Sequence, residues 1–275
     1  MALRAASALA AVPFVAALAA CSTNPATGRT QFDLLSREQE IAIGAEATPG
    51  LIQEFGGQIP SADIQAYVNE VGHRVAATVE PEYADIPWEF HAVNSPIINA
   101  FALPGGQVFI TRGMLEAMDN EAQLAGVLAH EIGHVTARHV NERVSQQTGI
   151  GLGGTVIGAV IGDAGISSQI IQAASQIGGD LLLRSFSRDQ EHEADQLGLR
   201  YMTRAGYSAE GMLQVMQILE SQGGGPEWLS THPNPGSRME DIRKRMAEYP
   251  GGEFYADRFR QRAIAPLSSL AAPRQ

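Results

Sequence analysis

The chain has 275 residues, 44% of them apolar, and carries 30 acidic against 19 basic side chains for a formal charge of −11. That length holds one substantial core and is tight for two. The acidic balance and the lack of any extended Lys/Arg cluster argue against nucleic acid as a partner, because a phosphate-binding surface needs clustered cations; polypeptides fit this charge at least as well.

Arg4 supplies a positive n-region and residues 5–20 are uncharged and largely apolar. Residues 1–20 therefore read as a signal peptide, since the run is short for a membrane span. Leu18-Ala19-Ala20-Cys21 resembles the bacterial lipobox, in which the cysteine is diacylated and becomes the mature N-terminus. Cys21 is expected to carry lipid and to anchor the chain in a membrane. It is also the only cysteine, so no internal disulfide can form. Ser22, where Asp would otherwise stand, resembles lipoproteins sorted to the outer membrane, which implies a place in the bacterial cell envelope facing the periplasm. Residues 21–36, rich in Ser, Thr, Asn, Pro and Gly, read as the lipidated N-terminus and a tether.

The folded domain is expected over 37–250, followed by a C-terminal tail over 251–275. Ile41, Ala45, Ile64, Val68, Val71 and Val75 are spaced for two helices, with a break at Gly56-Gly57 and a stop at Pro81. Trp88–Val93 and Gln107–Thr111 read as strands on either side of the Pro104-Gly105-Gly106 turn, giving a small sheet. Asn120 then opens a long helix as N-cap with Gln123 at the capping-box position, and Leu124, Leu128, Ile132 and Val135 form its apolar face. Residues 144–180 hold no charge before Asp163 and many glycines. They read either as an apolar loop beside the active site or as a lid that touches lipid. Ser187 and Gln190 form another capping box for a helix that stops at Gly206. Further helices are expected over Ala209–Ser221 and, after the Gly223–Pro226 break, near Arg238–Glu248. The predicted class is α+β, mainly helical, with a small sheet.

His130-Glu131-Ile132-Gly133-His134 carries the chemistry. Histidines at i and i+4 project from one helix face about a turn apart, the right separation to share one zinc ion. Glu131 sits beside that ion without ligating it, placed to take a proton from water and pass it to a leaving amine. A catalytic zinc usually keeps three protein ligands and an open position. A third histidine six residues further on is excluded, because Ala137 and Val140 stand there, and His139 points off the ligand face. A carboxylate of Glu191-His192-Glu193-Ala194-Asp195 remains as the third donor.

His130–His134 with Val135 and Arg138-His139, the run Glu191–Asp195, the run Asn99–Gly106 and Thr231-His232-Pro233 together resemble the M48 family of metallopeptidases, in particular its exported bacterial lipoprotein members. The start Asn24-Pro25-Ala26-Thr27-Gly28-Arg29 extends the likeness to nearly the whole mature chain. The resemblance implies a gluzincin-type domain with one Zn2+ held by His130, His134 and Glu191, and with Asp195 orienting a ligand or handling protons. Glu191 and Asp195 share a helix face, which agrees with that pairing. Asn99–Thr111 resembles the family's edge strand, where Asn99, Ala100 and Phe101 would bind an extended substrate by β-addition; Phe101 and Leu103 serve equally well as core. His232 matches a histidine found near the metal in the family, either as a latch in the fourth position or as an oxyanion donor. The expected activity is endoproteolysis of misfolded or misassembled envelope proteins, with a chaperone-like assembly factor as the alternative, and contact with envelope assembly machinery follows from either. The chain holds no repeat of about 34 residues, the spacing of helical-hairpin arrays, so the likeness is to a short form.

Overall fold

A computed structural model describes residues 21–151, 185–221, 227–233 and 235–273. The segment read as a signal peptide, the 144–180 stretch from residue 152 onward and the break at Gly223–Pro226 lie outside the described residues.

The fold is mainly helical with a small sheet, as expected, and a second, two-stranded sheet joins it. The capping box of Ser36 and Gln39 starts α1 (Arg37–Glu54). Ser61 caps α2 (Ala62–Ala76), which buries Ile64, Tyr67, Val68, Val71 and Val75 along one face. The chain turns between them at Gly56 and Gly57, whose φ values of 82° and 83° suit glycine.

The main sheet holds β3 (Glu89–Val93), β4 (Ala100–Leu103) and β5 (Gln107–Thr111) in the order β3-β5-β4. β3 runs parallel to β5 with Phe90 opposite Val108, and β4 runs antiparallel to it with Phe101 opposite Phe109. The expected edge strand over Asn99–Thr111 is therefore two strands. Only β4 lies at the edge; β5 is central because it pairs on both sides.

After the short α3 (Arg112–Glu116), helix α4 (Glu121–Thr136) is buried at every position. Asn120 caps it as expected, while Gln123 reaches back to the N–H of Asp119, at 2.7 Å. A helix buried all round needs neighbours on all sides, and β4, α2, α6 (Arg188–Arg204) and α7 (Glu210–Ser221) supply them. Close approach of α4 and α6 depends on glycine. A Cβ on Gly133 would meet the Ala194 carbonyl oxygen at 2.9 Å, and one on Gly198 would meet the His130 nitrogen at 3.1 Å. The expected capping box of Ser187 and Gln190 is present at the start of α6. Helix α5 spans His139–Gly151, α8 spans Glu227–Thr231, and α9 spans Pro235–Met246, starting three residues before the predicted Arg238 because Pro235 is tolerated in a first turn. Among the described residues no helix is long and apolar enough to cross a membrane.

Both ends of the described chain are tied to α4. Residues 21–36, expected to be a tether, form the β1 (Cys21–Thr23) and β2 (Thr30–Phe32) hairpin. The buried Asn24 amide donates to the Thr136 carbonyl at 2.9 Å and so satisfies the C-terminal end of α4. At the other end, α10 (Ala256–Phe259), a π turn and α11 (Ala265–Ser269) bury Phe259, Ala263 and Leu267. Glu121, fully buried at the start of α4, receives hydrogen bonds from Tyr67 at 2.7 Å, Tyr207 at 2.8 Å and the Arg258 guanidinium. That set pairs a carboxylate that would be costly to bury alone.

Candidate metal centre

Three elements converge on one point. α4 projects His130 and His134 from one face, α6 brings Glu191, and the segment after α8 brings His232. One donor atom from each lies within 4.8 Å of the others. His130 Nε2 is 3.0 Å from His134 Nε2 and 3.2 Å from His232 Nδ1, and His232 Nδ1 is 2.9 Å from Glu191 Oε1. Glu191 also lies 3.5 Å from His134 Nε2 and 3.6 Å from His130 Nε2. This donor set suits a metal ion: three imidazoles and a carboxylate are the ligands zinc accepts, at about 2.0–2.2 Å each. Burial holds the His130 and His134 pKa values below the ordinary imidazole range, which keeps their lone pairs free.

The charges around this point are compensated. The Arg238 guanidinium, fully buried, donates to Asp195 at 2.6 and 2.7 Å and lies 2.6 Å from Glu191 Oε2. Burial raises the Glu191 carboxyl, but His232 and Arg238 outweigh it and hold its pKa well below the usual carboxylate range. Asp195 is likewise lowered, burial being outweighed by Arg238. Asp195 Oδ1 is 3.0 Å from His130 Nδ1, so Nδ1 carries the proton and Nε2 faces the cluster. Glu131 lies beside the four donors. Burial, opposed by His232 and reinforced by Glu191, pushes its pKa up to about 7. Its Oε1 makes no hydrogen bond among the described residues, and His232 Nε2 is 3.5 Å away.

The structure thus brings His130, Glu131, His134, Glu191, Asp195 and His232 together. It treats the predicted substrate residues differently. Asn99, Ala100 and Phe101 are buried, and the Phe101 ring stacks on Phe109 at 4.7 Å and leans on Phe55 at 4.9 Å, so its side chain is core. The β4 backbone is another matter. Thr111 N–H donates to Asn99 O across the β4–β5 pair, so the groups of Ala100 and Ala102 face the outer edge. Two residues before β4, Trp228 N–H donates to Ile98 O at 3.2 Å.

Arg238 and His139 are the residues that reasoning from local pattern missed. Arg238 is 43 residues from Asp195, and nothing local marks its partner. His139 sits off the ligand face, yet its Nδ1 lies 2.8 Å from His134 Nδ1; the Arg138-His139 pair after the metal motif was the available signal.

The sequence is similar to those of known proteins. A profile of peptidase family M48 matches residues 62–246, more than half of the chain. The chain is 33% identical over 238 residues to the β-barrel assembly-enhancing protease of Yersinia pestis, covering 80% of this chain and 46% of that protein. It is 31% identical over 237 residues to the Escherichia coli protein of the same name, covering 81% and 47%. To the mitochondrial metalloendopeptidase OMA1 of Schizosaccharomyces pombe it is 31% identical over 230 residues, covering 82% and 66%. It spans about half the length of these bacterial relatives. With the metal-ligand cluster and these matches together, the chain belongs to peptidase family M48.

Proposed function

We propose that the chain is a zinc-dependent metalloendopeptidase that hydrolyses misfolded or misassembled proteins of the cell envelope. The observation that carries this reading is the cluster of His130, His134 and Glu191 with Glu131 beside it, whose Oε1 makes no hydrogen bond among the described residues. Two relatives bear names that link them to β-barrel assembly, which supports an envelope substrate. When bound, zinc supplies Lewis-acid polarisation of the scissile carbonyl and acidifies water. Glu131 accepts the proton of the attacking water and delivers it to the leaving amine. Asp195, held by Arg238, keeps His130 in the tautomer that ligates. The outward-facing groups of Ala100 and Ala102 are the acceptors and donors for an extended substrate strand. The test is Glu131→Gln, which is expected to keep metal and fold and to lose cleavage; a fully active variant sinks the mechanism.

His232 is best read as a latch. Its Nδ1 stands among the ligand atoms, and Trp228, four residues earlier and stacked on its ring at 4.6 Å, donates to Ile98 O two residues before β4. One segment thus reaches both the fourth metal position and the chain just before the substrate edge. His232→Ala is expected to cleave an unfolded polypeptide several-fold faster than wild type, with zinc retained. A fall of about 10²-fold in kcat would instead make His232 an oxyanion donor.

Lipid on Cys21 is proposed as the membrane anchor, with the outer membrane as its site. Cys21→Ser is expected to leave the membrane fraction and appear soluble in cell fractionation. Failure of labelled fatty acid to attach to the wild type refutes the anchor.

A further inference from the structure

His130 and His134 must each offer Nε2 to the ion, and each needs its Nδ1 proton placed on an acceptor. Asp195 does this for His130. Among the described residues His134 has no carboxylate there. Its Nδ1 faces His139 Nδ1 at 2.8 Å, and His139 Nε2 in turn faces Glu193 Oε2 at 3.0 Å. Arg29 closes the row: Nε lies 3.0 Å from Glu193 Oε1, Nη2 lies 3.0 Å from Oε2, and Nη2 also reaches Glu142 Oε2 at 3.2 Å.

With His134 Nε2 as the ligand atom, the protons along this row follow. The Glu193 carboxylate only accepts, so His139 Nε2 carries a proton. His134 then keeps its proton on Nδ1, and the acceptor that faces it is His139 Nδ1 at 2.8 Å. His134 Nε2 is left with its lone pair, directed at His130 Nε2 and Glu191.

The backbone is shaped to make this contact. His139 is five residues after His134 and would miss it on a continuous helix. Arg138 breaks the helix with φ of 58°, a left-handed conformation uncommon for any residue but glycine. The chain stays there because the Arg138 side chain is held by Asp33 at 2.8 Å, Glu40 at 2.7 Å and the Leu35 carbonyl at 2.6 Å, all from the N-terminal segment.

We infer that His139, backed by Glu193 and Arg29, is a positioning residue that fixes the tautomer of His134 and presents its Nε2 to the metal. The inference rests on His134 being a ligand. It also gives the N-terminal arm a task, since Arg29, Asp33 and Leu35 set the outer end of the row and the turn that carries it.

The test is zinc affinity of the purified chain, measured by competition with a chelating dye. His134→Ala is the control. His139→Ala is expected to weaken zinc binding by about 10–100-fold, the range for partners that orient a ligand. His139→Asn, whose Oδ1 can accept from His134 Nδ1–H, is expected to restore most of that loss. Glu193→Ala, on the surface of α6 and safe for folding if His139→Ala is not, is expected to weaken binding by a smaller factor in the same direction. Weakened binding in His134→Ala with unchanged binding in Glu193→Ala and His139→Ala overturns the inference. An Asn variant no better than Ala does the same, because it would leave only a packing role. Unchanged binding in His134→Ala overturns the ligand assignment instead.

Discussion

Glu131→Gln is expected to lower the turnover of an unfolded polypeptide by about 10³-fold while zinc content and thermal midpoint stay at wild-type values. Glutamine keeps the volume and shape of the side chain, so α4, buried at every position, repacks without a cavity. Oε1 makes no hydrogen bond among the described residues, so replacing that oxygen strands no donor. What is lost is the proton acceptor. Burial pushes this carboxylate up to about 7, and its proposed task is to take the proton of water and pass it on. The measurements are initial rates on a quenched unfolded substrate and metal analysis of the same preparation. Wild-type rates with wild-type zinc would remove Glu131 from the chemistry.

Glu191→Ala is expected to lose zinc affinity by more than the about 10–100-fold typical of partners that only orient a ligand, whereas Glu193→Ala remains within that range. Glu191 contributes an oxygen to the donor cluster and is fully buried, while Glu193 is reached through His139 and Arg29. Removing Glu191 also strips Arg238 Nη1 of its 2.6 Å partner, but Asp195 still holds the guanidinium by two bonds. The apo-fold is therefore expected to survive with reduced stability. Metal content after dialysis against buffered zinc decides the matter. Equal losses in the two variants would assign the third ligand to the wrong acid.

The metal motif was legible because a helix writes its face into sequence at i and i+4, as His130 and His134 do. Capping boxes are equally local, and Ser187 with Gln190 was readable for that reason. The order β3-β5-β4 was not, since the pairing of Glu89 with Gln107 is settled by tertiary contacts and not by period. Composition misled over residues 21–36: polar and glycine-bearing chain reads as a tether, yet Asn24 finds its acceptor 112 residues away. Arg238 was visible only as a residue near the start of a helix. Its role depends on two carboxylates of α6, and a partner that far along the chain leaves no local trace. His139 fell outside the ligand face on the assumption of a straight helix, which the left-handed Arg138 breaks.

The fastening of both chain ends onto α4 bears on the order of folding. Asn24 waits for Thr136 across 112 residues, Arg29 for Glu193 across 164, and Glu121 for Arg258 across 137. Contacts of such separation close large loops and form slowly. Helix α4 can coil early, but the groups that hold its two ends arrive only when nearly the whole chain is present. Capture of the ion thus belongs to the last stage of folding, and a chain interrupted before α6 carries two histidines without a pocket.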